Sequence, residues 1–165
     1  MKAVPRFARD FRRFFRWFGK SRKPPVISVD DPHLAVVVRA FDETAAASAV
    51  LDAAQSWEPD EPAVLRHHIR LPTAEIDTAR GLLESDGWTL RTEDDATDQG
   101  NHGQKMISAV ALRVQKLDAL HCSQESSRMA GLAQRLGGTS LGWDALQQLS
   151  GPAQVTDYSA GGVGR

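Results

Sequence analysis

The chain reads as an α+β protein, and three observations predict this. Val-rich or strictly alternating stretches that suit strands are interleaved with stretches of helical periodicity. The joints carry turn residues, among them Asp86–Gly87 and Gly137–Gly138. The composition, 41% apolar and 25% charged over 165 residues, is that of one globular domain with appendages.

Residues 4–20 open the chain. At about 100° per residue, Val4, Phe7, Phe11, Phe14, Phe15 and Phe18 fall within an arc of roughly 100°. Arg6, Arg9, Arg12, Arg13 and Arg16 occupy the other side. Pro5 suits a first turn and Gly19 a stop. The pattern predicts a basic amphipathic helix over residues 1–20 of the interfacial kind, with Phe7, Phe11, Arg12, Arg13, Phe14 and Phe18 as candidate membrane-binding residues. The alternatives are that the Phe face docks on the chain's own body, or that the arginines form an arm for nucleic acid. Residues 21–33, with Pro24, Pro25 and Pro32, read as an extended linker.

The body spans residues 34–146. Residues 34–41 predict a buried strand. Asp42 reads as the cap of a helix over 43–55, with Ala45, Ala49, Val50, Ala53 and Ala54 inward. Residues 63–71 alternate strictly, placing Leu65, His67, Ile69 and Leu71 on one face and Arg66, His68 and Arg70 on the other. Thr73 reads as the cap of a helix over 74–86. Residues 88–92 predict a short strand and residues 93–104 an acidic loop. Residues 105–114 predict a strand with small side chains. Asp118 reads as the cap of a long helix to about Leu136, with Leu120, Met129, Leu132, Ala133 and Leu136 inward, and Gly137–Gly138 as its stop. Residues 139–143 predict the last strand, and residues 147–165 a disordered tail. From Ala63 onward the order is β-α-β-β-α-β. That is the ferredoxin-like arrangement, an antiparallel sheet with helices on one face, here preceded by an extra β-α unit.

Composition excludes several functions. One cysteine, Cys122, leaves no intrachain disulfide and no cysteine-rich zinc site, and fits a reducing compartment. The longest apolar run, residues 106–112, falls far short of the roughly 20 residues of a membrane span. Arginines recur through the N-terminus and leave no apolar core for a secretory signal. The expected location is cytoplasmic, with peripheral attachment at the inner membrane face as an addition. The net charge of -1 hides an asymmetry: residues 1–23 hold nine Lys/Arg and one acid, whereas the remainder holds 11 bases and 20 acids. A basic head on an acidic body points to a partner or a surface.

No catalytic set stands out. Neighbours in a helix point about 100° apart, so His121 and Cys122 do not form a pair. His67 and His68 lie on opposite strand faces and cannot share a metal; His67 reads as a core histidine. Arg66, His68 and Arg70 form a small cationic stripe, which is either a solvated face or a surface that suits phosphate or an acidic partner. Glu93, Asp94, Asp95, Asp98 and His102 have metal-ligating side chains, but the glycines among them suit a flexible loop and no metal is assigned. No cofactor is implied. The two central strands lack the aromatics on which RNA-recognition folds stack bases, and the acidic body opposes phosphate. Trp88 and Trp143 each follow a glycine at a strand end, either as core aromatics or as part of a protein-binding hot spot.

Two stretches resemble the regulator of ribonuclease activity B family (RraB), protein inhibitors of ribonuclease E. The first, residues 65–90, carries His67, His68, Pro72, Gly87 and Trp88 at the family's His pair, break and Gly-aromatic step. The second, residues 114–143, carries Leu132, Leu136, Gly137, Gly138, Gly142 and Trp143 at the family's long helix, Gly-Gly turn and terminal Gly-Trp strand. Ser140–Leu141 stands where the family has an acidic Tyr-Asp. The resemblance covers about half the chain and implies a non-enzymatic regulator that binds the nuclease rather than RNA. The candidate partner-binding residues are Arg66, His68, Arg70, Trp88, Gly142 and Trp143. The alternative is a ligand-sensing or dimerising ferredoxin-like domain, and the sequence leaves the oligomeric state open.

Overall fold

A computed structural model describes residues 26–42, 44–99 and 104–148, except the side chains of 94–99. Candidate membrane residues Phe7 to Phe18 and the tail from residue 149 lie outside the described residues. The order is β1 (Leu34–Ala40), α1 (Ala47–Ala53), β2 (Ala63–Pro72), α2 (Ile76–Ser85), β3 (Thr89–Gln99), β4 (Lys105–Gln115), α3 (Ala119–Arg135), β5 (Thr139–Gln148). The strands form one five-stranded sheet in the order β1-β5-β2-β4-β3, with every neighbouring pair antiparallel. The fold is therefore α+β. Each of the three β-α-β connections steps over one strand, so the linked strands run parallel without touching.

The strict alternation of β2 sorts the two faces. Leu65, Ile69 and Leu71 join Leu51 of α1, Ile76, Ala79 and Leu83 of α2 and Cys122, Met129, Leu132 and Ala133 of α3 in the main core. A second, smaller cluster on the reverse face joins Val64, Val110 and Leu112 to Ile27. The end of the expected linker is thus part of the domain. Ile27 is buried, Arg91 reaches Asp30 at 2.5 Å, and Gln148 bonds Asp31. An isoleucine opposite three apolar sheet residues gains more by burial than an extended tether would.

Several expected boundaries move. The α1 helix is only seven residues, because Asp42 accepts from the Thr44 backbone N–H and hydroxyl and forms a local turn instead of a cap. Leu51, not the alanine row, is its buried residue; Ala45, Ala49 and Ala53 are exposed. Thr73 opens a single 3-10 turn and its hydroxyl donates to the Lys105 carbonyl, so it caps nothing. Asp118 does cap α3, accepting from the His121 backbone N–H at 2.9 Å, but Leu120 faces solvent. Gly137, at φ 76°, and Gly138 close α3 by donating to the carbonyls of Gln134 and Ala133. Residues 93–99, expected as loop, continue β3, with an irregularity between Thr92 and Thr97. The apolar β4 beside them offers a full ladder, and tertiary pairing overrides the weak strand preference of Asp and Glu. β5 runs to Gln148, so the expected tail begins later: Gln147 is buried and donates to the carbonyls of Glu58 and Glu61.

Candidate functional site

On the reverse face of β2, Arg66 and His68 converge on Asp144 of β5. Register places Arg66 opposite Asp144 and His68 opposite Gly142. Arg66 grips the carboxylate with both arms, Nε to Oδ1 and Nη2 to Oδ2, each at 2.6 Å. His68 Nε2 lies 3.4 Å from Oδ2, within ion-pair reach but long for a good hydrogen bond. The Phe41 ring tilts over the His68 ring with centroids 5.2 Å apart and stays half exposed. Burial alone would raise the Asp144 carboxyl, but the contacts with His68 and Arg66 outweigh it and hold it below the usual range. Two members of the expected cationic stripe are therefore already occupied by a carboxylate, and that carboxylate belongs to the chain itself. Arg70 follows on the same face.

Gly142 is part of this geometry for a steric reason. It sits at φ 123°, where β5 slips register against β2 and leaves Leu141 without a counterpart. A Cβ there would lie 2.5 Å from the Ala40 carbonyl oxygen and 2.9 Å from Phe41 Cα. The glycine lets β1 and Phe41 approach, which is a packing role. Trp88 and Trp143 are both buried in the main core, so neither offers a ring to a partner. Each follows a turn or bulge glycine because the chain there must dive into the core. Trp88 packs between the His67 edge, 5.4 Å away, and the Arg113 guanidinium, 4.2 Å from its centroid. Arg113 in turn donates to Glu125 of α3.

The other side of β2 carries a different site. His67, Asp42, Ser126, Ser127, Ser140 and Trp143 line a half-open cavity of about 300 Å³. Four segments supply these groups: the β1–α1 turn, β2, α3 and β5. The serines of α3 bond their own helix, Ser126 to the Cys122 carbonyl and Ser127 to the Ser123 carbonyl. Their hydroxyl lone pairs remain able to accept. His67 is a core histidine, as its position in the strand implies, yet its Nε2 is buried with no partner among the described residues. Burial pulls its pKa down to about 4, aided by His68 and Arg113 and opposed by Asp144, so the ring is neutral near pH 7.

The remaining candidates separate. Cys122 is fully buried and burial pushes its thiol up to about 11, which suits packing and not nucleophilic attack. His121 is exposed and pairs with Asp118. Among the described residues no three His, Cys, Asp or Glu side chains gather as a metal site, and no helix is long and apolar enough to cross a membrane. Asp144, Phe41 and the serines carried no advance signal. Their importance comes from cross-strand register and from a helix face meeting a strand end, neither of which a local pattern encodes.

No family model, curated protein or solved structure matches the chain.

Proposed function

We propose that this chain is a non-enzymatic regulator that works by binding another protein, in the manner implied by its resemblance to the ribonuclease E inhibitors. The β2-α2-β3-β4-α3-β5 stretch is read as a ferredoxin-like unit widened by β1. The strand order β5-β2-β4-β3 within the sheet supports that reading.

The observation that carries the proposal is β3. It is an edge strand of 11 residues with Glu93, Asp94, Asp95 and Asp98 along it. An edge strand presents unpaired backbone donors and acceptors, and an extended peptide can add to it. Acids along the edge discourage pairing with a second acidic copy and favour a basic segment. The RNA-binding stretches of a nuclease have that chemistry, so docking there competes with RNA for the same positive charge.

Mixing the purified chain with a ribonuclease E-type enzyme tests this. Expected are co-elution and slower RNA cleavage, both weakened by salt and by replacing Glu93, Asp94, Asp95 and Asp98 with Lys. No co-elution together with unchanged cleavage removes the proposal.

A further inference from the structure

We propose that the cavity beside His67 is a binding site for a small, uncharged organic molecule rich in hydrogen-bonding groups. This stands independently of β3 and its partner, because the cavity is lined by β1, the β1–α1 turn, β2, α3 and β5, and β3 is the far edge of the sheet.

Size comes first. A volume of about 300 Å³ lies at the lower end of the range of small-molecule sites. At liquid density it would take on the order of ten waters, so it is no packing flaw. Its walls are kept apart by small residues on each side: Ala40, Ala45 and Ala130 with Gly142. The steric demand at Gly142 fixes the β1–β5 approach and so one wall of the cavity.

Chemistry selects the occupant. His67 lines the cavity, and its buried Nε2 has no partner among the described residues, which costs roughly 1–3 kcal/mol. Three serines, Ser126, Ser127 and Ser140, line the same space together with Trp143. Among the described residues no Lys or Arg lines the cavity, so an anion finds no counter-charge there. Asp42 at the rim repels anions and is already engaged by Thr44, and it is too exposed to hold a cation firmly. A neutral ring or polyol with several OH or NH groups satisfies every one of these surroundings. A charged one does not.

Uridine is a suitable probe, since it is uncharged and combines a flat ring with ribose hydroxyls. The readout is the imidazole nitrogen NMR signal of His67 in the full chain, with uridine titrated to millimolar levels. Expected are a saturable shift insensitive to salt and no tighter binding by uridine monophosphate. The Ala130→Leu variant plugs the mouth from an exposed, helix-compatible position and should weaken binding about tenfold or more, equivalent to about 1.4 kcal/mol. His67→Phe should abolish the specific response seen by thermal stabilisation; if that variant fails to fold, Ala130→Leu alone decides. Failure of uridine, D-ribose and nicotinamide alike to shift the His67 signal overturns the site. So does a shift that survives Ala130→Leu unchanged, and tighter binding of the monophosphate overturns the uncharged class.

Discussion

His67 and His68 are chemical twins one residue apart, and the sheet sends them into opposite worlds. His67 turns toward the helices, loses its water and keeps an unpartnered nitrogen beside a cavity. His68 turns the other way, toward a carboxylate shared with Arg66 and an exposed aromatic ring. The helix-covered face is dominated by desolvation, which penalises charge. The reverse face is dominated by pairing, which holds charge in place. A period of two residues is enough to divide a strand between these regimes.

The sharpest way to break the contrast is at Gly142, where the two faces share a backbone constraint. Gly142→Val meets the Ala40 carbonyl and a φ that branched residues avoid. It should destabilise by about 4 kcal/mol or more, read from urea unfolding, with both the His67 and His68 NMR signals displaced. A loss below about 1 kcal/mol would mean the bulge relaxes freely.

His67 gives the next effect, through pH. The folded pKa is depressed to about 4 against the ordinary 6.5. Between these values the unfolded state binds a proton that the folded state refuses. Stability is thus fully present above about pH 6.5 and falls as pH drops toward 4, by up to about 3 kcal/mol. Burial sets the sign, the charges of His68 and Arg113 add to it through the sheet and along the core, and Asp144 opposes it. His67→Leu should flatten that limb while leaving stability at pH 7 similar or higher, since it removes an unpaired polar atom. An unchanged acid limb in the variant would assign the loss to other groups.

The reverse face gives the smallest expected change. Asp144→Asn removes the charge that Arg66 holds and should cost about 2 kcal/mol, less than a fully buried pair because Arg66 remains partly in water. A cycle with Arg66→Met should recover most of that loss. Additive effects in the cycle would show that the two side chains do not act as a unit.

Much of the frame was legible in the residues themselves. The alternation of residues 63–71 placed each β2 side chain on its observed face, and Asp118 and Gly137–Gly138 marked the ends of α3. These are local signals with local causes. The acidic half of β3 was illegible because its ladder comes from β4, not from its own side chains. The role of Ile27 was illegible because a short apolar stretch between prolines, Val26, Ile27 and Val29, becomes core only when a sheet lies beneath it. Of the candidate site, the Arg66–His68 side of β2 could be read, but Asp144 is 78 residues from Arg66 and no spacing announces it. Trp88 and Trp143 looked alike as hot-spot anchors and as core, and only packing separated the two.

The lone sulfur also gives the molecule a clock of its own. Cys122 is sealed under α3 with a thiol that ionises only near pH 11, so at neutral pH an alkylating reagent has neither access nor a thiolate to attack. Every labelling event must wait for α3 to lift from the sheet. The rate at which the thiol is captured therefore counts those openings directly, with no dye or introduced residue.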